Sequence, residues 1–225
     1  RQRQMCIRDR AYLAESPSDR IAAMQRLWEA GSAIDGGDGY GARVLTAYAA
    51  ARIPADATHA DAAGGLIAAM LTAGLDRDAL SWRTVVEEGS LGWALIALAA
   101  PSSDRIGQGG VETFIGDDDS AGARKSAFLV AGLAGLGKVS EDGAGSLAGD
   151  VGLDLERQTR WTRAISRAAE VNNPVLVVML AGLGMQGTSW AQMTPLHLYH
   201  ITAALTRVGL GAEARMIAAE AVARG

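Results

Sequence analysis

Val130-Ala131-Gly132-Leu133-Ala134-Gly135-Leu136-Gly137-Lys138 and Leu180-Ala181-Gly182-Leu183-Gly184-Met185-Gln186-Gly187 are the stretches on which the reading of this chain turns. The first contains the pattern G-x-x-x-x-G-K and the second G-x-G-x-x-G, so both invite a phosphate-binding reading. The residues around them argue the other way. A nucleotide loop of the first kind needs Ser or Thr after the lysine to hold magnesium. Here Val139 follows, and then the acidic run Ser140-Glu141-Asp142, which would repel a phosphate. After the second motif, Thr188-Ser189-Trp190 and Pro195 interrupt the helix a dinucleotide fold requires, and no acid stands about 20 residues on to hold a ribose. Both stretches therefore read as apolar helix tails running into a glycine. A glycine there takes the left-handed conformation that closes a helix, and the next apolar residue folds back onto the last turn. Leu71-x-x-Gly74-Leu75 and Leu205-x-x-x-Gly209-Leu210 repeat the pattern. On this reading Lys138 is incidental, and replacing it by Ala should change nothing.

Helix signals dominate the rest. Ser16-Pro17-Ser18-Asp19 has the N-cap, proline and early acid of a helix start, with Ile21, Met24, Leu27 and Trp28 at helical spacing and Gly31 as the stop. A Gly-rich turn over Asp35–Gly39 leads into a segment carrying Val44, Leu45 and Tyr48, and Thr58-x-x-Asp61 opens the next. Further helices are predicted over 76–88, 91–100, 121–136, 154–170, 174–184, 195–208 and 212–224, with a long loop and one short helical turn over 101–122. Leu91–Ala100 is apolar all round, as expected of a buried central helix. The fold class expected is all-α: stacked antiparallel helix pairs forming a superhelix. In this respect residues 16–224 resemble the tetratricopeptide-like α-solenoid class. No consensus motif of that class is intact, so the resemblance implies architecture and carries over no functional residues.

The first ten residues, Arg-Gln-Arg-Gln-Met-Cys-Ile-Arg-Asp-Arg, resemble a translated sequencing-adapter scar and are set apart from the fold. The only cysteine, Cys6, goes with them, as do four of the 21 basic residues and one of the 25 acidic ones. Residues 11–225 are then expected to form a single helical-repeat domain, the C-terminal part of a longer protein. Ile21, Leu27, Val44 and Leu45 would be more exposed than their counterparts mid-chain, where a preceding repeat should stack. The Arg and Ala bias, with 44 alanines and two lysines, fits a GC-rich bacterial genome; the cytoplasm and the periplasm both stay open as compartments. An acidic body argues against non-specific nucleic-acid binding. No apolar run reaches the roughly 18–20 residues of a membrane span.

Few residues carry chemistry. His197 and His200 form an H-x-x-H pair, but no acid at i+3 or i+4 supplies a third metal ligand. Asp117–Asp119 lacks the alternating ligands of a calcium loop and reads as a turn with an N-cap. Arg157, Arg160, Arg163 and Arg167, with Trp161, read as a solvated helix face that could also form a phosphate or acidic-peptide groove. No catalytic, cofactor or metal residue is expected. The candidate binding surface is Arg160, Arg163, Arg167, Trp190, His197 and His200. The function expected is a non-enzymatic scaffold for a protein or peptide partner. The alternative is an all-α small-ligand binder or enzyme with an interhelical pocket where Trp190, His197 and His200 converge.

Overall fold

The computed structural model describes residues 9–35, 39–102, 104–187 and 189–225, and every regular element among them is helical. The adapter-like segment as far as Arg8, and the centre of the Asp35–Gly39 turn, lie outside the described residues. The chain divides into two units, Arg1–Ile96 and Ala97–Gly225.

In the first unit, α1 (9–13) precedes α2 (Pro17–Asp35), α3 (Tyr40–Ala50), α4 (Ala63–Thr72) and α5 (Asp76–Leu80). Ser16 caps α2 as expected, its hydroxyl accepting the Asp19 N–H at 3.0 Å. Gly31 does not stop that helix, which runs on to Asp35. A Cβ at Gly31 would stand 3.0 Å from that of Ala42, so this glycine lets α3 approach closely. Trp28 anchors the pair. It is buried, its indole N–H donates to Thr46 at 2.8 Å, and Gly65 of α4 sits against its ring. The segment after Ile53 differs from expectation at its start. Asp56, not Thr58, provides the cap, accepting the Thr58 N–H at 2.8 Å, and a 3-10 turn over Ala57–Ala62 precedes α4. The helix predicted over 76–88 is only α5 and a 3-10 turn, Ser81–Thr84, shaped by burial of Trp82. Ile21 is buried and Leu27 half-buried, whereas Val44 and Leu45 are exposed.

The boundary between units falls within α6 (Leu91–Ala99). The second unit continues with α7 (Gln108–Gly116), α8 (Arg124–Gly135), α9 (Glu141–Asp150), α10 (Arg160–Glu170), α11 (Pro174–Gly184), α12 (Pro195–Arg207) and α13 (Gly211–Arg224). Its centre is α8, packed against α7, α9, α12 and α13, with Phe128, Leu129 and Leu133 fully buried. Two glycines make that packing possible. A Cβ at Gly132 would meet Leu98 at 3.0 Å and Ala218 at 3.1 Å, and one at Gly135 would collide with Thr202. α7, nine residues long, lies where a long loop with one short helical turn was expected, held by the burial of Val111 and Phe114. α9 was not foreseen either: the acidic run at 141–142 is its first turn, capped by Ser140, and Leu147 and Ala148 are its buried anchors. α10 starts at Arg160 rather than 154. Asp154 turns the chain by accepting the Glu156 and Arg157 N–H groups, and Thr159 and Thr162 cap the helix reciprocally.

Five helices end in the same way. α4, α8, α9, α10 and α12 are followed by Gly74, Gly137, Gly152, Asn172 and Gly209, all at positive φ. In each, the next residue's N–H reaches back to the third residue before the C-cap, as in Leu75 to Met70 at 3.0 Å, Lys138 to Leu133 at 2.9 Å and Leu210 to Leu205 at 2.9 Å. These are Schellman closures. Glycine closure therefore holds at 74, 137 and 209. It fails at 180–184: Gly182 and Gly184 stay inside α11, and Gly184 is needed because Trp161 packs against it.

Candidate functional site

The G-x-x-x-x-G-K stretch ends in a buried cation. Lys138 Nζ donates to the carbonyls of Ala97 and Ala100, both at 2.6 Å, closing the C-terminal end of α6. The lysine read as incidental is thus structural. Unpaired carbonyls at a buried helix end would be costly, and an ammonium also complements the helix dipole there. The acidic cluster is equally local. Asp118 accepts the N–H groups of Ser120 and Ser126 and the Ser126 hydroxyl, at 2.6–2.9 Å, tying down the start of α8. Burial alone would raise its pKa, but these hydrogen bonds outweigh burial and hold the carboxyl below its ordinary value.

The three residues expected to converge stand in different places. Trp190 lies edge-on to Phe128 at 6.3 Å, with the Arg224 guanidinium 5.9 Å over its ring, and lines a cavity of about 210 Å³ with Gly184, Gly187 and Arg224. His200 lines a separate cavity of about 320 Å³ with Glu156, Tyr199 and Arg207. The His197 ring lies tilted against Trp161, the centroids 4.6 Å apart, and Thr194 caps its N–H and bonds its Nδ1. Burial depresses the pKa of both histidines, and the charge of His197 adds to the effect at His200. The Nε2 of His200 is buried with no hydrogen-bond partner. No group of three or more metal-ligating side chains occurs among the described residues. No helix among them is long and apolar enough to cross a membrane.

What remains is a surface the sequence reading missed. α10 and α11 are joined by a three-residue turn, Val171–Asn173, in which Asn172 adopts φ 50° and Asn173 accepts the Leu176 N–H at 3.0 Å. Pro174 then starts a helix with no charged side chain, Pro-Val-Leu-Val-Val-Met-Leu-Ala-Gly-Leu-Gly. Only Val177 and Ala181 are buried, while Leu180 and Gly184 face Trp161, whose indole N–H donates to the Leu180 carbonyl at 3.0 Å. The outward side carries Val175, Leu176, Val178, Met179 and Leu183, with Val175 70% and Met179 67% exposed. Comparison with known proteins finds no matching family model, no similar curated protein and no similar solved structure. The candidate site therefore rests on geometry alone.

α10, which packs against α11, carries the arginine row. Ile165, Ala168 and Ala169 turn inward, and Arg160, Arg163 and Arg167 project from the opposite side. Arg167 pairs with Glu170 at 3.0 Å, both exposed. The sequence signal that could have found the α11 face is the connection before it. A short capped turn places α11 directly against α10, and α10 is amphipathic, so it offers one apolar side to its neighbours.

Proposed function

We propose that the chain is a non-enzymatic helical-repeat scaffold, its helix pairs stacked as in an α-solenoid, that docks a protein or peptide partner on the outward face of α11. The observation carrying this reading is that exposed face: five large aliphatic side chains on one short, well-capped helix. An exposed apolar patch of a few hundred Å² or more is the usual mark of an interaction site. The five helix ends closed by the same left-handed turn support the repeat architecture. The experiment is site-specific photocrosslinking with a benzophenone side chain at Met179, with exposed Arg52 as the control position. A discrete crosslinked partner from Met179 alone is expected. No position-dependent product, together with turnover of a small molecule, would overturn the reading.

A second reading keeps one observation in its favour. The cavity lined by His200, Tyr199 and Arg207 holds polar groups suited to a small ligand, and burial lowers the pKa of His200 there. A thermal-shift screen that detects a ligand in wild type and loses it in His200→Phe would favour this reading over the scaffold.

A further inference from the structure

The docking reading leaves open what sits on α11, and the make-up of the helix narrows it. At about 100° per residue, Val178, Gly182, Val175, Met179, Leu183 and Leu176 follow one another around an outer arc of about 160°. All six are exposed, while Val177 and Ala181 face the interior. Met179 stands near the middle of that arc and halfway along the helix between Val175 and Leu183. Around Gly182 the arc has a notch: no described atom lies within 4 Å of where a Cβ would stand. Gly132 of α8 is the same device with its neighbour in place, since a Cβ there would meet Ala218 of α13 at 3.1 Å.

Charge and area say which occupant fits. From Val171 to Thr206 the sequence has no Asp, Glu, Lys or Arg. A partner recognised by its charges would find nothing on α11 to pair with. Two copies of this face meet without like-charge repulsion, and an apolar arc centred on one residue complements itself across a two-fold axis. The five aliphatic side chains leave roughly 500 Å² open on each protomer, so a symmetric pair covers about 1,000 Å². That is the lower limit of a specific interface and the range of a weak, reversible one. A bilayer fits less well, because α11 has no aromatic anchor and no basic residue of its own.

We propose that α11 is a self-association face through which two copies of this chain form a reversible, two-fold symmetric dimer. This rests on the docking reading above and names its partner. The two α11 helices run antiparallel, with Met179 against Met179 on the axis and Val175 against Leu183 at either end. Val175 of each copy also enters the notch at Gly182 of the other.

The test uses the full chain in sedimentation equilibrium from about 1 to 200 μM, a span suited to a small interface. The apparent mass should rise from that of one chain towards twice that value. Met179→Glu and Met179→Lys should each stay monomeric with unchanged circular dichroism spectra. An equimolar mixture of the two should pair again, because the axis sets position 179 of one copy against position 179 of the other. In a Cys6→Ser background, oxidation should link Met179→Cys into a disulfide dimer and leave exposed Arg52→Cys unlinked. Unfolding measured well below the dissociation constant reports one protomer, which separates pairing from stability.

Three outcomes would overturn the proposal: a chain that stays monomeric throughout, a dimer that Met179→Glu leaves intact, or a mixture of the two charged variants that fails to pair. A monomeric chain that still crosslinks to a different protein from Met179 would overturn the second copy alone and keep the docking reading. A monomeric chain with no crosslink there would overturn both. Retention of the monomer on phosphatidylcholine–phosphatidylglycerol vesicles, lost in Met179→Glu, would make a bilayer the occupant and overturn the dimer too.

Discussion

α6 and α11 both lack a charged residue and a polar side, yet they end up in opposite environments. From Ala94 to Ala99 every residue of α6 is buried, whereas most of α11 faces solvent. Hydrophobicity alone therefore does not decide burial. α6 alternates Ala with Leu and Ile, and small residues let neighbours close in. A Cβ at Gly92 would meet Val86 and Ile67, one at Gly64 of α4 would stand 3.3 Å from Leu91, and one at Gly132 of α8 would meet Leu98. α11 spends its small residues unevenly: Ala181 and Gly184 point inward, and the outward side is almost all Val, Leu and Met.

That contrast can be broken by mutation. Leu95→Ala in α6 empties a fully buried site and should cost about 2–5 kcal/mol, measured by urea unfolding. Lys138→Ala leaves the Ala97 and Ala100 carbonyls without their ammonium and should cost about 1–3 kcal/mol; a loss near zero would restore the view of Lys138 as incidental. Two glycines of α11 should respond with opposite signs. Gly184→Ala drives a methyl into Trp161 and should cost about 1–3 kcal/mol, while Gly182→Ala points into open space and should gain about 0.5–1 kcal/mol.

Acid should act on the second unit through groups whose pKa values folding depresses. Stability linked to His197 and His200 is complete above their ordinary value near 6.5 and is lost as pH falls towards their folded values, because protonation then favours the unfolded chain. Stability linked to Asp118 follows the same sign at lower pH, below about 3.9. Thermal melts should show the histidine step weakened in His200→Phe and the acid step weakened in Asp118→Asn. The smallest effect belongs to the exposed face, where Met179→Ser should change unfolding stability by less than about 0.5 kcal/mol. A larger loss would mean that α11 is part of a core after all.

The all-α class was legible because caps and stops are local chemistry. Ser16, Asn173, Thr194 and the glycines at 74, 137 and 209 act where their side chains, or lack of them, dictate. α9 was hidden because Gly143, Gly145 and Gly149 lower helix propensity; tertiary burial of Leu147 and Ala148 overrides it. Gly31 and Gly184 misled for the same reason from the other side, since a glycine that admits a neighbouring helix looks in sequence like one that ends its own. Of the candidate site, the arginine row was visible from its spacing. The exposure of α11 was not, because a run of aliphatic residues states only that burial is favourable and not what is available to provide it.

Lys138 also has a practical bearing. The chain has two lysines, and one of them is locked inside while Lys125 is partly accessible. Acylating reagents should label Lys125 readily in the native protein and reach Lys138 only when the unit opens. The ratio of the two labels, read by mass spectrometry, would then report opening of that unit without any engineered probe.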